Sequence, residues 1–139
     1  MAWLVDTCVL IDVIEADPRF GLLSARHLQR RLGDGLLVSP VTYVELAPIF
    51  DNNHELQEEF LSAAGVRFEE PWTARDTRRA HQAWGTHVRQ ARRRETARRP
   101  VADALIGAMA CRFEGIITRN GRDFHAFFPD LRVSDPTAR

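Results

Sequence analysis

AWLVDTCVLIDVIE, residues 2–15, is the stretch whose reading decides the fold. Trp3-Leu4-Val5 is a short continuous apolar run, as a buried strand requires, and it stops at Asp6, where the backbone is expected to leave the core. Val9 to Glu15 then reads as a helix. The pattern poses a chemical question: an ionisable carboxylate stands at the mouth of a buried strand.

The same alternation recurs along the chain. Leu36-Leu37-Val38, Val66-Arg67-Phe68 and Gly115-Ile116-Ile117-Thr118 are further β-rich runs, each flanked by Gly, Pro, Ser or Asp. Between them the spacing predicts helices. One runs over 22–32, broken by Gly33-Asp34-Gly35, and another begins at Ser39 as N-cap with Pro40 in the first turn, running through Val44, Glu45 and Leu46 until Pro48 kinks or ends it. A third covers 55–64 and closes at Gly65. Thr73 and Asp76 form a capping-box pattern ahead of the stripe Ala80, Ala83, Trp84, Val88 and Ala91. Pro100 opens the last long helix, with the stripe Leu105, Ile106, Met109, Ala110 and Phe113 and with Gly115 expected at its C-cap.

Strands alternating with helices predict right-handed crossovers and a parallel sheet of four to five strands, covered on both faces in a three-layer α/β/α arrangement. Such strands all end on one edge, where ligands collect. No repeat or low-complexity linker interrupts residues 1–139, which read as one domain.

Composition narrows the class. With 45% hydrophobic and 27% charged residues the chain is an ordinary globular protein rather than a disordered one. No apolar run approaches the ~18 residues of a membrane span and no signal segment precedes Trp3, so the expected location is the cytoplasm. Cys8 and Cys111 are read as buried free thiols. Net charge is zero, but unevenly spread: over 51–70 six acids face Arg67, and over 75–99 nine arginines face Asp76 and Glu95, predicting an acidic and a basic side. All 19 basic residues are arginine.

Four acids fall just after a strand or near the start of the helix that follows: Asp6, Glu45, Asp103 and Asp123. Each has an ordinary explanation. Asp6 suits a helix cap, Glu45 a solvated helix position, Asp103 the favourable end of a helix dipole, and Asp123, with Asn120, the turn at Gly121. Their shared address is what those explanations leave over. Carboxylates crowded at one edge raise one another's pKa values unless a cation neutralises them, and Mg²⁺ or Mn²⁺ is the hard, oxygen-seeking ion that suits them. The matching chemistry is phosphodiester hydrolysis.

DTCVLID at 6–12, VTYVEL at 41–46, RRPVADALIGAMA at 98–110 and ITRNGRDFHAFFPDL at 117–131 together resemble the PIN-domain ribonucleases, in particular the VapC toxins of bacterial type II toxin-antitoxin pairs. The resemblance implies a PIN-like fold and an Mg²⁺- or Mn²⁺-dependent endoribonuclease. It assigns Asp6, Glu45, Asp103 and Asp123 as metal-binding and catalytic acids, and it places Thr7, Thr118 and Asn120 around them as orienting groups. Relatives carry Asp where Asn120 stands, which leaves open whether Asn120 or Asp123 fills the fourth place and whether one metal or two are held. It further implies a VapB-like antitoxin partner and a homodimer.

VRQARRRETARRP, 88–100, leads into the helix of Asp103. It reads either as a solvated helix end or as a phosphate track, with Arg93, Arg94, Arg98 and Arg99 as the RNA-binding candidates, since an acidic site that cuts a polyanion needs a cationic neighbour. The five histidines show no ligand spacing. Two rivals remain: a PIN-like module that binds RNA or a partner without cutting, and an Mg²⁺-dependent aspartyl phosphatase. The phosphatase lacks support, because Asp6 is followed by Thr7-Cys8 instead of a DxD pattern and the chain has no lysine for the phosphoryl group.

Overall fold

The computed structural model describes residues 1–95 and 99–138. Five strands, β1 (Trp3–Val5), β2 (Leu36–Leu37), β3 (Val66–Arg67), β4 (Gly115–Ile117) and β5 (Val133–Ser134), form one sheet in the order β3-β2-β1-β4-β5, every neighbouring pair parallel. β1 is central: Leu4 lies opposite Leu37 on one side and Ile116 on the other. The fifth strand, at only two residues, carries no periodicity that a sequence pattern registers.

Among the described residues seven α-helices connect the strands: α1 (Thr7–Ile14), α2 (Gly21–Arg31), α3 (Pro40–Glu45), α4 (His54–Ala63), α5 (Ala74–Arg94), α6 (Val101–Ala110) and α7 (Gly121–His125). The pleat sends alternate strand residues to opposite faces. Trp3, Val5, Leu36 and Ile117 pack with Val9, Leu10, Leu28 and Leu61 of α1, α2 and α4. Leu4, Leu37 and Ile116 pack on the other face with Ile106, Met109 and Ala110 of α6 and Phe124 of α7. Helix α5 lies along α6. The architecture is therefore the three-layer α/β/α one, with two apolar half-cores split by a sheet whose central residues are fully buried.

The local signals act as their chemistry requires. Ser39 caps α3, its hydroxyl accepting from the Thr42 N–H at 3.2 Å, with Pro40 in the first turn. Thr73 and Asp76 form a reciprocal capping box at the head of α5. Pro48 falls in a 3₁₀ turn, Ala47–Phe50, so α3 stops at Glu45. One expectation is corrected: α6 ends at Ala110, and Gly115 starts β4 instead of capping the helix. Its absent side chain is a matter of room, since a Cβ there would stand 2.3 Å from the Arg132 carbonyl oxygen and 2.8 Å from the Trp3 ring. Cys8 and Cys111 are free thiols, and among the described residues no helix is long and apolar enough to cross a membrane.

Candidate metal centre at the carboxyl edge of the sheet

Asp6 caps α1 and stands where β1 meets the carboxyl edge of the sheet. Its backbone is extended (φ −71°, ψ 150°) where β1 hands over to α1, and Oδ1 accepts from the Thr7 N–H at 2.8 Å. Oδ2 faces the other way and accepts from the Thr118 hydroxyl at 2.7 Å, just past β4, and from the Cys8 thiol at 3.2 Å. The side chain is 6% exposed. Burial raises its pKa, the three donors oppose that, and the charge of Glu45 adds to the rise.

Glu45 comes from a different element. The Thr7 hydroxyl donates to Glu45 Oε1 at 2.7 Å, and Thr42, one turn earlier on the same face of α3, is 2.8 Å from that hydroxyl. A hydroxyl has one proton to give, so Thr42 is the donor to Thr7. Thr42 is fully buried, whereas Glu45 itself is exposed. A chain of hydrogen bonds thus ties the start of α1 to the end of α3.

Asp103 sits in the first turn of α6 and is half-buried. Its carboxyl is pushed up to about 6, first by burial and then by the charges of Asp6, Asp123 and Glu45, with Arg99 pulling the other way. One carboxyl therefore feels the other three acids. Asp123, in the first turn of α7, is ion-paired with Arg99 through Nη1 and Oδ1. Asn120 is exposed; its backbone N–H donates to Thr118 Oγ1 at 2.9 Å, so it braces the hydroxyl that holds Asp6. Of the two candidates for the fourth place, Asp123 is the one whose charge reaches Asp103.

The donor set suits a hard divalent ion in kind and charge: all are carboxylate or hydroxyl oxygens, and the Asp103 carboxyl, raised first by burial, is raised further by the other three acids, a repulsion that a cation relieves. Among the described residues no three His, Cys, Asp or Glu side chains stand close enough to ligate one ion as they are. Asp6, Glu45 and Asp123 are each engaged by a donor of the protein instead. An ion here would keep several waters, as Mg²⁺ does.

The arginines divide. Arg93 and Arg94 are exposed in the last turn of α5, Arg99 pairs with Asp123, and Arg98 lies outside the described residues. The sequence reading missed three groups beside the site. The Cys8 thiol donates to Asp6 and, being buried next to that charge, is pushed up to about 12. His87 accepts the Arg99 backbone N–H on Nε2 at 3.0 Å. Asp12, 3% exposed, receives Arg119 Nε at 2.7 Å and Nη2 at 2.9 Å, with the guanidinium 4.1 Å above the Phe20 ring. A clue to the last pair was available: an acid inside the apolar α1 pattern demands a partner, and Arg119 follows directly after Thr118.

No protein-family model matches the sequence, and no curated protein matches it. Solved structures do resemble it. A chain of FitAB bound to an IR36 DNA fragment superposes with a TM-score of 0.72 at 17% identity, over 100% of this chain and 97% of that one. A chain of VapBC-1 from nontypeable Haemophilus influenzae gives 0.67 at 20% identity, over 99% and 100%. VapBC2 from Rickettsia felis, bound to a DNA fragment from its promoter, gives 0.67 at 15% identity, over 97% and 98%. The PIN-like fold implied by the four sequence motifs is the fold this chain has, and it is shared over nearly full length with chains of these VapBC and FitAB complexes.

Proposed function

We propose that the chain is a cytoplasmic, metal-dependent endoribonuclease, the toxin half of a VapB-like antitoxin pair, which cuts RNA phosphodiester bonds at Asp6, Glu45, Asp103 and Asp123. The observation that carries this reading is the effect of three acids from three other elements on the one carboxyl of Asp103. These four side chains would hold Mg²⁺ or Mn²⁺. When bound, the ion supplies neutralisation of the carboxylates, an activated water and stabilisation of charge on the phosphate.

The chain's own residues do the rest. Thr118 and the Thr7 N–H fix both oxygens of Asp6, so its orientation is settled before any ligand arrives. Thr7 holds Glu45 at the rim. Burial raises the Asp103 carboxyl to about 6, and the charges of the other three acids add to the rise. Arg93, Arg94, Arg98 and Arg99 offer planar forks for backbone phosphates and offset the repulsion between an acidic edge and RNA. Exposed Val44 and Val101, 68% and 49% accessible on the touching helices α3 and α6, give the same edge an apolar rim for a second copy of the chain. The likeness to VapBC and FitAB chains supports an antitoxin as the partner.

The test is RNA cleavage in the presence of EDTA, with Mg²⁺ or Mn²⁺ added back. Cleavage is expected to stop and return, and Asp6→Asn is expected to abolish turnover in a protein that still folds and still binds its antitoxin. Full cleavage by Asp6→Asn, or by the wild type in EDTA, would refute the reading, and RNA binding without cleavage under every condition would replace it with a binding module.

A further inference from the structure

Three of the ion pairs among the described residues differ in how far they are sealed from solvent. Arg119 grips Asp12 through two nitrogens, and Arg112 grips Asp76 likewise; the carboxylate side chains are 4% and 0% exposed. These pairs are sealed. Arg99 meets Asp123 through one nitrogen and one oxygen, with both side chains more than a third exposed, at 36% and 39%. A guanidinium has five N–H donors in a fork, and this contact uses one of them. Exposed single-contact pairs are weakly held.

The backbone of Arg99 is fixed where its side chain is not. Its N–H donates to His87 Nε2 at 3.0 Å, and the His87 ring packs on Phe127 with centroids 4.7 Å apart. Pro100 follows with φ −59° and begins α6. The backbone is thus tied to α5 at the head of α6, while the side chain is held by a single exposed contact. The same charge also reaches Asp103. Arg99 is therefore a cation already in place against Asp123.

On the reading of this edge as a metal-dependent RNA-cutting site, we propose that the Arg99 guanidinium and the ion compete for Asp123. The guanidinium holds Asp123 while no ion is bound, yields that carboxylate to the ion, and turns to a phosphate of the RNA backbone. Two cations do not share a carboxylate without repulsion, and a phosphate takes a guanidinium bidentately, which Asp123 does not do here. Arg99 then couples metal loading to substrate binding: the metal-free protein keeps its phosphate fork occupied, and the loaded protein presents it.

The experiment titrates MnCl₂ alone into the wild type, Arg99→Ala, Asp123→Asn and the double variant by calorimetry at low salt, and measures kcat and KM for a single-stranded RNA. For Arg99→Ala, Mn²⁺ is expected to bind about two- to fivefold more tightly, the range of an exposed ion pair released. In the Asp123→Asn background that gain should vanish. KM for RNA should rise about tenfold with a smaller change in kcat, as loss of a charged phosphate contact predicts. Arg99→Gln repeats the test with the length kept and the charge removed, should the alanine variant lose its helical circular dichroism. Unchanged or weaker Mn²⁺ affinity, a gain that survives in Asp123→Asn, or tightening without a rise in KM would each overturn the proposal and leave the nuclease reading standing. A wild type that binds no Mn²⁺ would remove both.

Discussion

The Thr7 hydroxyl, in the first turn of α1, donates at 2.7 Å to Oε1 of Glu45, the last residue of α3 and 38 positions along the chain. Thr42 donates to the same oxygen of Thr7 from full burial. Thr7→Val removes the donor of one and the acceptor of the other, stranding a buried hydroxyl. The expected loss is about 1–3 kcal/mol of folding free energy, read from urea unfolding, together with weaker Mn²⁺ binding. Thr7→Ser keeps both partners and should stay near wild type on each measure.

Asp103 predicts a pH signature. Its carboxyl sits at about 6 in the folded chain against an ordinary value of 3.8, so the fold favours the protonated form. Above about 6 both folded and unfolded chains are ionised and the fold carries the full penalty of the charge. As pH falls from about 6 toward 3.8 the folded state takes up the proton first and the penalty is relieved. Asp103→Asn should therefore melt higher than the wild type in EDTA at pH 7.5, with the difference shrinking through pH 5. It should also lose the rise in melting temperature that Mn²⁺ gives the wild type. An equal difference at both pH values would show that burial of the charge is not its source.

The Asp12–Arg119 pair is expected to be costly to break and cheap to replace. Arg119→Met leaves Asp12, 3% exposed, without its counter-charge and should cost about 3–5 kcal/mol by urea unfolding. The double variant Asp12→Leu with Arg119→Met should recover most of that loss, because two apolar side chains need no desolvation of charge. Failure of the second change to restore stability would mean that Ser24, which donates to Asp12 at 3.2 Å, and the Phe20 ring set the packing instead.

Gly115→Ala tests the join between β4 and β5. The added methyl would meet the Arg132 carbonyl oxygen at 2.3 Å and the Trp3 ring at 2.8 Å, one of them backbone, so relief requires the strands to shift. A loss of about 1–3 kcal/mol, seen as a lower melting temperature, is expected. Since Ser134 of β5 accepts the Thr118 N–H at 3.2 Å, and Thr118 holds Asp6, Mn²⁺ affinity should fall with it.

Much of this was legible in the sequence because the signals are local. An apolar triplet ending in Asp6, Ser39-Pro40 and the Thr73/Asp76 box state their own backbone geometry, and the topology follows from alternation. The four acids were singled out by their shared place after strands, which is a topological property. What stayed hidden depends on partners. Nothing adjacent to Asp12 announces Arg119, 107 positions away, or tells that Arg99 turns to Asp123. Gly115 was misread because a glycine after a helical stripe looks like a cap, whereas its real constraint is the carbonyl of a strand too short to be seen.

The strand that carries Asp6 lies at the middle of the sheet, with one neighbour drawn from residues 36–37 and the other from 115–117. Thr118, whose hydroxyl holds Asp6, lies 112 positions further along the chain. This corner therefore closes through a long loop, at an entropy cost that the local hydrogen bonds of a helix do not carry.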